Sequence, residues 1–207
     1  MRLAVLGGTG RTGRLLIDQA LLQGHDLRVL ARTPEKVHRK DERLIVVPGD
    51  ARDAAAVARV VEGADAVLSA LGPVKGGPPD VMTLAARHLI AAMPAQGVRR
   101  VVTLTGAGVP HPGDEPRAVD LVFRTALRLL QPAVLRDSLA HADLIRESDL
   151  DWTVVRVPRL TDGPVQPLRV GRVGQIGTQI TRASVAGFML DQLSSRDWVR
   201  GAPAISH

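Results

Sequence analysis

The residues of this chain best suited to binding a charged ligand lie at its start, where Val5-Leu6 runs into Gly7-Gly8-Thr9-Gly10-Arg11-Thr12-Gly13. An apolar run precedes the glycines at 7, 10 and 13, and a helical pattern follows them, the context in which a glycine turn cradles phosphate. One glycine permits the tight turn, another lets the backbone approach a pyrophosphate, and the last lets helix and strand pack closely. The helix start offers N–H groups without intrahelical partners, and these point at an anion. A side chain at Gly10 is expected to obstruct the phosphate. The plainer alternative is a turn that only packs a helix on a strand.

Arg32 is the second telling position, at the end of the second apolar run. An acidic residue there would bind the adenine ribose hydroxyls and repel a 2′-phosphate. A guanidinium can instead pair with that phosphate and stack on adenine, and Arg11 adds a second cation nearby. The expected cofactor is NADP(H) in preference to NAD(H).

Other chemistry is narrowed by absence. The chain has no cysteine, which removes thiolate nucleophiles, disulfides and cysteine-ligated metals. It has no tyrosine, so an active-site tyrosine activated by a lysine cannot operate. No spacing of histidines and carboxylates suggests a metal site. His111 lies in a Pro-Gly loop after the fifth apolar run, which makes it a candidate substrate-side group or a solvated loop histidine. His141 and Asp143 stand in a helical pattern with Arg136, Asp137 and Glu147, and read as helix-surface charge pairing.

The elements that must position these residues alternate short β-branched runs with longer helical patterns, the sign of a parallel sheet covered on both faces. Strands are expected over 3–6, 27–31, 44–47, 66–68, 100–104 and 152–156. Helices are expected over 11–23, 34–40, 53–61, 79–96, 117–148 with a break near Pro132, and 182–193. This is a doubly wound α/β sheet, a Rossmann fold, in a single domain over 1–207. Between 157 and 180 the pattern dissolves into Pro and Gly among polar residues, with a short strand conceivable at 175–180, and this C-terminal elaboration is expected on the substrate side. Leu121 to Leu135 reads as an amphipathic helix, partly buried or at a subunit interface, with a membrane surface as the other reading.

A hydrophobic fraction of 45% supports a full core, and a net charge of +6 favours anionic ligands. The few aromatics and the scattered basic residues argue against nucleic acid. The chain opens directly into an apolar strand pattern, with no leader and no long apolar stretch, so the reading is a cytoplasmic protein without a membrane span, monomeric or homodimeric.

Several segments together carry a family likeness: GGTGRTG, VLART, the pair Gly49-Asp50, Ser69-Ala-Leu-Gly72, VVTLTGAG, and LIRESDLDWTVVRVPRLTDGP. The chain resembles the atypical short-chain dehydrogenase/reductase superfamily, and within it the NAD(P)H-binding proteins related to biliverdin reductase B, or flavin reductase. The resemblance implies that Gly7, Thr9, Gly10, Arg11 and Thr12 meet the pyrophosphate, that Arg32 meets the 2′-phosphate, and that Asp50 and Ala51 lie beside adenine. It also implies that Ala70, Leu71 and Gly72 line the ribose edge, and that the backbone from Pro158 to Leu160 holds the nicotinamide amide. Asp50 could alternatively cap the helix that starts near Asp53.

On the substrate side the chain departs from biliverdin reductase B, with Gly106 in place of a serine and Arg159 in place of a histidine. Thr105 can donate a hydrogen bond to a substrate and Arg159 can stabilise a developing negative charge. Alternatively, Thr105 caps its strand and Arg159 pairs with Asp162. The expected activity is hydride transfer from NADPH to a flavin, quinone or similar conjugated acceptor, which needs no tyrosine acid because the acceptor spreads charge and solvent supplies the proton. A regulatory protein that senses NADP(H) without turnover is the second reading.

Overall fold

The computed structural model describes residues 1–74 and 76–207. Its strands and helices follow one another as β1 (Arg2–Leu6), α1 (Arg11–Leu22), β2 (Asp26–Ala31), a single 3-10 turn (Pro34–Lys36), β3 (Leu44–Pro48), α2 (Ala54–Val61), β4 (Ala66–Ser69), α3 (Val81–Ala95), β5 (Arg100–Gly106), α4 (Ala118–Leu130), α5 (Pro132–Glu147), β6 (Asp151–Val157), β7 (Arg159–Thr161), β8 (Arg169–Gly171), β9 (Gln179–Thr181), α6 (Arg182–Asp191) and β10 (Ala204–Ser206).

The described residues form an eight-stranded sheet in the order β3-β2-β1-β4-β5-β6-β10-β8. The first six strands are parallel and in continuous register, as in Leu3 against both Leu27 and Ala66. Only β8 runs antiparallel, against β10. The strands are apolar on both faces because helices cover both. Leu3, Val5, Leu68 and Val102 pack with α1 and α6, whereas Ala4, Leu6, Val67 and Val101 pack with α2, α3 and α5. This is the doubly wound Rossmann architecture expected, in one domain.

Three expectations need correction. The helix over 34–40 is one 3-10 turn, because His38 and Arg39 are drawn to Asp18 on α1, at 3.1 and 3.5 Å. The stretch 157–180 is more ordered than its composition suggested: β7 and β9 form a parallel pair, and β8 joins the main sheet. The final strand β10 had no counterpart in the reading. Three residues behind a proline give too short a pattern to read, and burial against β6 and β8 is what makes Ala204–Ser206 a strand.

Candidate functional site

Order reverses at β1, which has β2 on one side and β4 on the other, and the crevice beyond the carboxyl ends of these strands is where open α/β sheets bind ligands. The glycine turn occupies that place. Gly7 adopts φ +79°, and a Cβ there would lie 2.7 Å from the Ala70 carbonyl carbon, so only glycine lets the end of β1 lie against the end of β4. The Gly10 N–H donates to the Gly7 carbonyl at 3.0 Å and closes the turn. Gly13 lies so close that any Cβ would overlap the Gly7 carbonyl oxygen. Gly10 is the N-cap of α1 with no side-chain cap and no acidic residue in the first turn, so the helix presents free N–H groups.

A cleft of about 350 Å³ opens at this turn. Gly7, Thr9 and Gly10 line one part of it. Arg32, Thr33 and Lys36 line another, facing Asp50 and Ala51, while Ala70, Leu71, Gly72 and Val81 complete the wall. Asp50 does not cap α2; Asp53 does, accepting from the Ala55 N–H at 2.9 Å. Asp50 accepts instead from the Arg52 N–H at 2.9 Å and pairs with its guanidinium at 3.2 Å. Burial pushes the Asp50 carboxyl up, but these hydrogen bonds and the fields of Arg52 and Arg32 bring it below the ordinary carboxylate range.

The cleft fits a dinucleotide phosphate by its donor set. Among the described residues, uncapped helix N–H groups lie at the glycine turn, Arg32 and Lys36 lie at the β2 end, and the lining carboxylate, Asp50, is already satisfied by Arg52. A Cβ on Gly10 would meet only the Gly7 carbonyl, at 3.3 Å, so little protein stands over that glycine.

Other residues singled out in the sequence lie elsewhere. Arg11 is largely exposed, 3.8 Å from Asp162. Thr12 is buried, and neither it nor Gly13, Pro158 or Leu160 lines the cleft. Thr105 is buried on β5 beside Arg156 of β6, its hydroxyl without a partner among the described residues. Gly106 ends β5, and Arg159 is exposed at the start of β7. Asp162 pairs with Arg182 at 2.6 Å rather than with Arg159.

His111 lines a second cavity of about 220 Å³ with Asp114, Leu121, Arg124 and Val173. Burial, then the fields of Arg146 and Arg156, lowers its pKa, opposed by Asp114. Among the described residues no group of three or more histidines and carboxylates is placed to hold a metal, and no helix is long and apolar enough to cross a membrane.

Helix α5 departs most from the sequence reading. His141 and Asp137 are buried rather than on a charged surface. Asp137 accepts from the Met82 and Thr83 N–H groups at 3.0 and 2.9 Å and so caps α3 across the interface, while His141 joins the Thr103 hydroxyl at 2.8 Å and the Met82 carbonyl at 3.2 Å. The signal was present as Asp137, Ser138 and His141 at helical spacing, but their polarity reads as surface until α3 is known to pack there. Asp143 does pair at the surface, with Arg146 at 3.4 Å. Lys36 was not anticipated in the cleft. Its signal was a rare lysine four residues beyond Arg32, and a helix over 34–40 obscured where it points.

A doubly wound sheet with a glycine turn at its switch point defines a Rossmann-fold nucleotide-binding protein. The chain belongs to the NAD(P)H-binding family, whose family model matches residues 7–196. It is 32% identical over 153 residues to the (4-alkanoyl-5-oxo-2,5-dihydrofuran-3-yl)methyl phosphate reductase of Streptomyces griseus, a match covering 73% of this chain and 45% of that protein. The chain spans about half the length of the curated relatives it matches. Among solved structures it is similar to the oxidoreductase ylbE of Lactococcus lactis, with TM-score 0.84, 18% identity, and coverage of 100% of this chain and 91% of that one. It is also similar to the anaerobillin reductase ChuY of Escherichia coli O157:H7, with TM-score 0.81, 19% identity, and coverage of 100% and 97%. These two likenesses are of fold.

Proposed function

We propose that the chain is an NADPH-dependent reductase that serves a flavin, quinone or similarly conjugated small acceptor. The observation that carries the reading is one cleft with the uncapped helix start at one end and Arg32 with Lys36 at the other. In it Gly7, Thr9 and Gly10 approach the pyrophosphate, Arg32 and Lys36 hold the 2′-phosphate, Asp50 and Ala51 flank adenine, and Ala70 to Gly72 follow the ribose. The backbone from Pro158 to Leu160 holds the nicotinamide amide, and exposed Arg159 meets an acidic group on the acceptor. Bound NADPH supplies the hydride.

With no tyrosine in the chain, the residues serve mainly to orient the two ligands, and water supplies the proton to an acceptor that delocalises charge. The name of the Streptomyces griseus relative, a reductase, accords with this reading.

The test is a titration with NADPH and NADH followed by nucleotide fluorescence. FMN, riboflavin, quinones and biliverdin are then added while absorbance at the nicotinamide band is recorded. Tighter binding of NADPH and its consumption with one of these acceptors are expected. Binding without any turnover would favour a nucleotide sensor, and no binding would remove both.

A further inference from the structure

Helix α4 turns its apolar side to solvent. Val119, Val122, Phe123, Ala126, Leu129 and Leu130 recur at steps of three and four residues, which gathers them within about a third of the helix circumference. Phe123 is 60% exposed, Leu129 74% and Leu130 79%, and no residue of α4 is buried. The side toward the protein is the other one, where Leu127 lies against Gly108 and Leu121 and Arg124 line the second cavity. A helix held through Leu127, Leu121 and Arg124, with an apolar row uncovered on either side of the half-buried Ala126, marks a surface that another molecule covers.

We infer that the occupant is a second copy of this chain, α4 packing on α4 across a two-fold axis. The exposed row offers on the order of 500 Å² per chain, so a pair buries about 1,000 Å², the lower bound for a biological interface and the range of a weak dimer. A two-fold contact needs only one self-complementary patch, and an uncharged stripe is self-complementary. Charge points the same way. Arg124 and Arg128 lie on the opposite side of the helix, so two chains of net charge +6 meet without facing cations. A helix lying on a lipid surface would need cations able to reach anionic headgroups, and the outward face of α4 has none. Ala126 sits mid-stripe, where a small side chain lets the helices approach.

Sedimentation velocity of the full chain over a concentration series tests this. A dimer is expected at tens of micromolar, in the absence as in the presence of nucleotide. The double variant Leu129→Asp/Leu130→Asp should weaken it at least about 100-fold with an unchanged far-UV spectrum. Leu22→Asp, at an 81% exposed site on α1, should leave it intact. Because the natural chain has no cysteine, Ala126→Cys provides a single thiol, and a short bis-maleimide should cross-link it to a dimer even if the aspartate variant fails to fold. A wild-type monomer throughout the series, a dimer that survives in the aspartate variant, or no cross-link at position 126 would overturn the inference. A monomer that pellets with anionic vesicles would assign the stripe to lipid.

Discussion

Asp114 and Arg156, in the loop after β5 and in β6, meet as a two-point ion pair in which Nη2 donates to Oδ1 at 2.9 Å and Nη1 donates to Oδ2. Arg156 is wholly buried. Its Nε also donates to the Ala202 carbonyl at 2.9 Å, while Asp114 accepts from the His111 and Val173 N–H groups at 2.8 and 3.1 Å. One charge pair therefore fixes the loop, β6, the turn after β8 and the chain entering β10, and of these the loop and Val173 line the second cavity.

Removing one partner leaves the other charge buried and unpaired. Asp114→Ala is expected to lower stability by about 3–5 kcal/mol, whereas Asp114→Ala with Arg156→Met should recover part of that loss, because an apolar pair of similar volume needs no solvation. Urea denaturation measures both. A loss below about 1 kcal/mol in the single variant would show that the pair is not desolvated as described.

The glycine turn makes two separable demands. A Cβ at Gly13 overlaps the Gly7 carbonyl, so Gly13→Ala should disturb the turn and lower thermal stability. A Cβ at Gly10 has only the same carbonyl, at 3.3 Å, for a neighbour, so Gly10→Ala should keep its melting temperature within a few degrees and lose nucleotide affinity about tenfold or more. Calorimetry with nucleotide titration distinguishes them. Equal effects on folding and binding in both variants would remove the distinction.

Arg32 and Lys36 should discriminate the cofactors. Arg32→Ala and Lys36→Ala are each expected to weaken NADPH binding by about tenfold, the worth of a charge-assisted contact of 1.4 kcal/mol. NADH binding should change far less, as it lacks the 2′-phosphate. Fluorescence titration of both nucleotides decides the matter, and parallel losses for NADPH and NADH would place these cations elsewhere than at that phosphate.

The parallel strands and most helices were legible because each carries its own period and its own breaker. Leu3–Leu6 before a glycine turn and Leu27–Ala31 before Arg32 need no tertiary information. Elements fixed by partners were not legible. The chain from Val37 leaves its helical pattern for Asp18, and β10 exists by pairing with β6 and β8. The same division runs through the cleft. Gly7 and Arg32 announce themselves by type and spacing, whereas Lys36 reaches the cleft by a turn whose length the sequence does not declare. Asp137 and His141 looked solvated because a satisfied buried polar group and a surface one have the same spelling.

His141 should make stability depend on pH. The Met82 carbonyl can only accept, so Nδ1 carries the proton and Nε2 accepts from the Thr103 hydroxyl, which makes the neutral ring the native form. Burial lowers its pKa from 6.5 to about 4, the Met82 carbonyl and the Asp137 field opposing and the Arg146 field adding to the fall. Between these values the unfolded chain binds a proton that the folded chain refuses. Stability therefore rises with pH across that window, is complete above it, and is lost as pH falls from 6.5 toward 4. At pH 5.0 the expected loss relative to pH 7.5 is about 2 kcal/mol. His141→Asn should be less stable at pH 7.5 but should lack this part of the slope, since it cannot titrate. Urea denaturation of both proteins at the two pH values gives the difference directly, and parallel pH dependences would mean that His141 is not held neutral.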